Sequence, residues 1–299
     1  MFYNKDSRYH LNRALVALFL GAAAIGFAPI FVRLSELGPS ATAFYRMLFS
    51  IPVILLLAQL LPVDKQKKSP RTTRDFLYLF LAGLFFSTDL FFWHWSIKLT
   101  SVANATLLAN TAPIFVSLAA FFFFGERQNK VFFLGLISAF IGLFFLLGGN
   151  FETAKDKFLG DCLGVLAAIF YAAYMVTISR LTYKFSTITI MAWSSIFSAL
   201  VLIPVTIFSN ESFVAITASG WMILFALAAF SHAGGQSLIA YSFSYLSPTF
   251  ASLGLLFQPV IAALLAWLIF SEALSLEQAV GGATVLLGIY IARMGNKSL

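Results

Sequence analysis

Four ionisable side chains lie inside long apolar runs of this 299-residue chain: Arg46, Asp89, His94 and His232. Charge in hydrocarbon is costly unless it is paired or put to use. A guanidinium offers a planar fork of donors that fits a carboxylate or a phosphate. A carboxylate takes an amine or a proton, and an imidazole changes charge near neutrality. In the functional reading Arg46 binds an anionic group, Asp89 binds an amine or a proton, and His232 gates or couples. In the structural reading Arg46 and Asp89 pair and brace the fold. Arg46 is close to the start of its run, where snorkelling toward the surface relieves its charge. His94, between Trp93 and Trp95, reads as an interfacial residue.

Polar and aromatic groups at matched depth complete a candidate substrate-binding set: Asn104, Asn110, Tyr171, Tyr174, Trp193, Gln236, Tyr241 and Gln258. An aromatic wall carrying a few oriented polar groups is how small-molecule sites are built. Where 17% of residues are aromatic, each of these is individually a packing residue as readily as a site residue. The single Cys162 excludes an intrachain disulfide, and no clustered His/Cys spacing suggests a metal, so no cofactor is expected.

The elements that position these groups follow from composition. The chain is 60% hydrophobic and 10% charged, whereas soluble domains carry about 25% charged residues. A water-facing surface cannot be covered with so few charges, which excludes a soluble enzyme, a secreted disulfide scaffold and a disordered chain. Residues 14–32, 47–63, 99–125, 131–151, 162–179, 185–210 and 278–292 carry no Asp, Glu, Lys or Arg, and 60 uncharged residues separate Glu211 from Glu272. At roughly 20 residues per spanning helix, the pattern predicts an all-α integral membrane protein. Its ten transmembrane helices fall near 13–32, 40–61, 75–97, 101–124, 130–148, 160–181, 186–208, 218–244, 248–270 and 276–294. The first run is too long for a cleaved signal, whose apolar core spans about 7–15 residues.

With a cytoplasmic N-terminus, the loops place fourteen Lys and Arg inside and four outside, with Arg46 within a span. Both termini are therefore expected in the cytoplasm. The net charge of +7 then reflects topology and attraction to anionic lipid, with no need for nucleic acid.

The chain also repeats itself. At a shift of 146 residues Pro113 falls on Pro259, Glu126 on Glu272, Gly135 on Gly281, Gly142 on Gly288, Gly149 on Gly295 and Ser101 on Ser247. Residues 1–149 and 150–299 thus read as two five-helix repeats around a central cavity. An odd helix count inverts the second repeat relative to the first, an arrangement suited to alternating access. Pro113 and Pro259 are expected to kink their helices and free carbonyls toward the cavity, or merely to improve packing. Ser247 and Pro248 read as an N-cap and first-turn pair. Glu126 and Glu272 read as structural acids facing the positive end of the following helix. Gly160, Gly164, Gly281 and Gly288 allow close helix contact.

These motifs resemble a known family. Trp95-Ser96-Ile97-Lys98-Leu99-Thr100-Ser101-Val102-Ala103-Asn104-Ala105, Pro113 and Gly125-Glu126 are echoed by Tyr245-Leu246-Ser247-Pro248, Pro259 and Ser271-Glu272. Together they resemble the EamA-type branch of the drug/metabolite transporter superfamily, ten-helix bacterial carriers with two repeats. The resemblance spans essentially the whole chain and is far more specific for the superfamily than for a substrate. It implies a basket-like bundle with the fifth helix of each half nearer the periphery. It also implies a bacterial inner-membrane carrier, often an exporter of amino acids or related metabolites. Smaller four-helix relatives use a membrane-embedded Glu in their first helix; residues 14–32 hold none, so that coupling scheme does not transfer.

The function expected is therefore secondary transport of a small polar metabolite, an amino acid or related zwitterion. The alternative is an organic-cation, drug or nucleotide-type carrier. A channel or a membrane-embedded enzyme fits less well, since neither a selectivity-filter loop nor a His-Glu-x-x-His motif is present. No nucleotide-binding loop of the Gly-x-x-x-x-Gly-Lys-Ser/Thr type occurs, which disfavours direct ATP drive. The partners expected are a small-molecule substrate, the bilayer and a coupling proton as candidate co-substrate, with oligomeric state open.

Overall fold

The computed structural model describes residues 5–60, 67–100, 102–147, 157–271 and 275–295. Ser101, Gly149 and Glu272, which carry parts of the repeat and capping expectations, lie outside the described residues. The described residues are helical, with no strand among them.

In chain order the helices are α1 (Lys5–Gly26), α2 (Ala28–Leu34), α3 (Pro39–Leu60), α4 (Thr73–Leu99), α5 (Val102–Ala109), α6 (Ala112–Phe124) and α7 (Lys130–Leu146). They continue with α8 (Phe158–Leu181), α9 (Thr187–Phe208), α10 (Ala218–Ala226), a π-helical segment (Leu227–Gln236), α11 (Ser237–Ser242), α12 (Pro248–Gly254), α13 (Phe257–Phe270) and α14 (Leu276–Gly295). Eight stretches among the described residues are long and apolar enough to cross a membrane: Tyr9–Leu34, Pro39–Leu60, Thr73–Leu99, Asn104–Phe123, Phe158–Leu181, Thr187–Phe208, Ala218–Ser242 and Pro248–Ile269. The other two expected spans correspond to α7, an apolar helix of 17 residues, and α14, which carries Glu277 near its start and Arg293 in its last turn.

Local sequence sets where these helices begin. Thr72 and Asp75 form a reciprocal capping box at α4. Asn129, Ser186 and Thr217 each accept a backbone N–H in the first turn of α7, α9 and α10. Ser247 caps Phe250 with Pro248 in the first turn of α12, as the sequence predicts. Gly125 ends α6 in the left-handed region at φ 65°, where a side chain is strained.

Packing is dominated by α7 on α14, α4 on α8, α3 and α4 on α9, and α1 on the π-helical segment and α11. Small residues make these contacts close. A Cβ on Gly160 would meet the Thr100 backbone at 2.7 Å, and one on Gly83 would meet the Ser194 carbonyl at 2.8 Å. Lipid is as apolar as a side-chain core, so helices associate through such close packing and not through exclusion of water.

Candidate functional site

Three of the spanning stretches are broken rather than continuous. The first breaks at Phe27 between α1 and α2, the fourth at Asn110-Thr111 between α5 and α6, and the eighth at Leu255-Leu256 between α12 and α13. A proline follows each break closely: Pro29, Pro113 and Pro259. This corrects the expected kinks, because Pro113 and Pro259 stand in the first turn of a new helix. Proline has no N–H, so the carbonyl four residues earlier loses its helical donor. That leaves Ile25, Ala109 and Leu255, of which Leu255 recovers a bond from the Gln258 N–H at 2.9 Å. The π-helical segment through His232 and Gly234-Gly235 is a fourth irregularity, and π turns concentrate at functional sites.

All four irregularities meet one cavity of about 110 Å³. Gly26, Asn110, Gln236, Gln258 and Pro259 line it, facing Arg46 from α3 and Phe86, Asp89 and Trp93 from α4, with Tyr171 from α8. Irregular backbone at membrane depth is tolerated where it lines such a space. Arg46 is 3% exposed and Asp89 8%, so neither snorkels to the surface. Among the described residues they form no direct ion pair, and both line the cavity. The guanidinium lies 5.8 Å over the Phe86 ring and its Nε has no hydrogen-bond partner. The direct pairing of the structural reading is therefore not what is built. A guanidinium and a carboxyl group instead border one space.

Other expected site residues lie elsewhere. His232 is behind Phe86, its ring 5.1 Å from that ring and its Nε2 3.0 Å from the Ser195 hydroxyl. Tyr174 is fully buried in the same stack, 4.6 Å from Phe86, with its hydroxyl donating to the Met191 sulfur. Asn104 donates to Asp161 at 3.4 Å and so braces α5 against α8. Trp193 packs on Phe76 and Phe197, and Tyr241 on Tyr245, away from the cavity lining. His94 is 2% exposed, and its Nδ1 is 2.7 Å from the Pro39 carbonyl, tying α4 to the start of α3. Glu126 meets the Thr249 hydroxyl at 3.3 Å, so its partner is the first turn of α12 and not the helix that follows it.

Sequence reasoning missed Phe86, Pro29 and Thr106 as lining residues. Pro29 had a signal, since it follows Gly26-Phe27-Ala28 inside an uncharged run. Phe86 had none among 35 phenylalanines.

Both ends of the bundle are tied across the chain's two halves. At one end Glu36 accepts from the Ile216 and Thr217 N–H groups at 2.7 and 3.1 Å and from the Thr217 hydroxyl, at the start of α10. At the same end Glu211 accepts from the Ala41 N–H at 2.9 Å, at the start of α3. Each carboxylate lies against a glycine, Gly220 and Gly38 respectively, where a Cβ would meet its oxygen at 2.5 and 2.4 Å. The Thr217 hydroxyl and backbone bonds, with the Ile216 bond, hold the Glu36 carboxyl below its ordinary 4.5. At the opposite end Lys184 pairs with Asp75, and Lys67 donates to the Thr182 carbonyl at 2.6 Å.

Comparison with known proteins decides the family. The model of the EamA-like transporter family matches residues 12–148 and again residues 158–294. The chain belongs to that family. An uncharacterized transporter of Archaeoglobus fulgidus is 25% identical over 290 residues, covering 96% of this chain and 97% of that one. An S-adenosylmethionine uptake transporter of Rickettsia bellii is 28% identical over 239 residues, covering 77% and 75%. A crystal structure superposes with a TM-score of 0.80 over 94% of this chain and 96% of the other at 19% identity, a likeness of fold. This EamA-like protein is thus a multi-pass membrane protein of a transporter family, not an enzyme.

Proposed function

We propose that this EamA-like protein is a secondary carrier for a small zwitterion of the amino-acid class. Its carboxylate meets Arg46 and its ammonium group meets Asp89. The observation that carries this reading is the pair of opposite charges bordering one cavity without pairing to each other. In a medium of low dielectric each charge lacks a close counter-ion until a ligand of both signs supplies one. The Rickettsia relatives named for S-adenosylmethionine support it in kind, since that molecule carries an amino-acid zwitterion. A second reading, an organic cation held by Asp89, is favoured by the Phe86, Trp93 and Tyr171 rings around the carboxylate. Counterflow in proteoliposomes separates them: amino-acid zwitterions accelerate exchange of a labelled zwitterion under the first reading, and organic cations alone do so under the second.

The mechanism proposed is alternating access by two inverted repeats, residues 1–149 and 150–299, with both termini cytoplasmic. Exchanging the halves maps the α4–α8 contact onto the contact of α1 with the π-helical segment, and maps α3–α9 and α7–α14 onto themselves. The same exchange relates Glu36 at the start of α10 to Lys184 and Asp75 at the start of α4. These ties then act as the outer and inner gates. With Cys162 replaced by Ala, Glu36→Gln is expected to raise several-fold the labelling of a Thr106→Cys thiol from outside at neutral pH. A carboxyl held below its ordinary value stabilises its contacts above that value and loses them as pH falls through the lowered one. Acidifying the outside well below 4.5 should therefore loosen the wild-type gate, seen as a change in Trp221 fluorescence that Glu36→Gln does not show. Trp221 is the reporter because it packs on Tyr45 at 5.2 Å, just after that cap.

A further inference from the structure

The cavity holds a second recognition element besides its charges. Gln236 ends the π-helical segment and Gln258 directly precedes Pro259, and both line the cavity. Their Nε2 atoms are buried with no hydrogen-bond partner, as is the Nε of Arg46. Gln236 is 1% exposed, so water in the bulk does not satisfy it. The Tyr171 hydroxyl is the polar neighbour of both amides and the Tyr174 hydroxyl of Gln236, yet neither Nε2 makes a hydrogen bond. Asn110 differs from them, because its Nδ2 already donates to the Thr106 carbonyl at 2.8 Å. Two buried amide donors on this wall therefore have no partner. An unmet buried donor is costly, more so in a membrane interior.

We infer that Gln236 and Gln258 form a subsite for a hydrogen-bond acceptor on the substrate beyond its amino-acid head, an amide carbonyl or the acceptor edge of a heterocycle. The inference rests on the zwitterion reading of Arg46 and Asp89. The head group neutralises the two charges, and the acceptor meets the glutamine NH2 groups that the protein leaves unfilled. A purely aliphatic amino acid satisfies the charges and leaves those donors buried and unmet. Discrimination then comes from rejecting ligands that lack the acceptor, which is the strong direction of polar specificity.

The test is binding to the purified full-length protein of two matched pairs. Glutamine and methionine are near in volume, and the first alone has an amide. S-adenosylmethionine and S-methylmethionine are both sulfonium amino acids, and the first alone has a heterocycle. Wild type is expected to prefer the acceptor-bearing member of at least one pair by about tenfold or more. Gln236→Met with Gln258→Met, which keeps side-chain length, is expected to shrink that preference to within about threefold. Equal binding within both pairs by wild type overturns the inference while leaving the zwitterion reading intact, and needs no variant to fold. A preference that persists in a monodisperse double variant also overturns it. Failure of all four to bind overturns the zwitterion reading, and the subsite falls with it.

Discussion

Arg46→Met is expected to weaken counterflow of zwitterions sharply while leaving the protein as stable as wild type, or more so. A charge-assisted bond to a carboxylate contributes about 1.5–3 kcal/mol, and each 1.4 kcal/mol is about tenfold in affinity. Affinity should therefore fall about 10- to 100-fold. Stability should move the other way, because Arg46 is buried, its Nε has no partner, and Asp89 does not contact it as an ion pair. Removing such a charge deletes a desolvation cost with little bonding to lose. Arg46→Lys keeps the charge but loses the fork, so it should rescue only part of the binding. Asp89→Asn should weaken zwitterions and organic cations alike. The double variant should show stronger coupling in binding than in thermal stability, since a ligand bridges the two groups directly. Full transport by a folded Arg46→Met protein would move the assignment to the organic-cation reading.

Gly142→Val or Gly288→Val is expected to remove the folded protein altogether. A Cβ on Gly142 would sit 2.5 Å from the Val285 nitrogen and 2.6 Å from the Gly281 carbonyl oxygen. A Cβ on Gly288 would sit 2.4 Å from the Ala139 nitrogen and 2.7 Å from the Gly135 oxygen. Those are backbone atoms of the facing helix, so no rotamer change relieves the clash. Helices α7 and α14 would have to separate along their seam, at a cost of about 3 kcal/mol or more. Fluorescence-detected size exclusion should show loss of the monodisperse peak. Gly234→Ala is the control: its Cβ would meet only the Ala229 oxygen, at 3.4 Å, and the variant should stay within about 1 kcal/mol of wild type.

The seam illustrates what was legible before any coordinates. Gly135, Gly142, Gly281 and Gly288 announced themselves through spacing and duplication, because close backbone approach requires small residues at fixed intervals. Ser247-Pro248 announced the start of α12 in the same way, since capping is a local matter of a few residues. Arg46, Asp89, Gln236 and Gln258 stood out by depth, as polar groups where hydrocarbon penalises them, and the structure brings these four to one cavity. Asn104, Trp193, Tyr174 and His232 stood at comparable depth, yet they brace α5 or pack behind Phe86 and beside Phe76.

Depth and direction are thus decided by different physics. Composition, the long uncharged runs and the duplicated prolines and glycines determined by themselves that the chain is a helical membrane protein built on a repeated motif. Each of those is a statement about one stretch and the medium around it. Which way a side chain points was decided only by the tertiary structure. In a soluble helix the polar face marks the side turned to water, and its opposite marks the core. In this chain lipid and core are equally apolar, so that contrast vanishes, and the azimuth of Trp193 or Phe86 is set by which helix happens to pack beside it. The helix breaks were likewise tertiary. A proline states only that one bond is missing, and the surrounding cavity decides whether the helix bends there or ends.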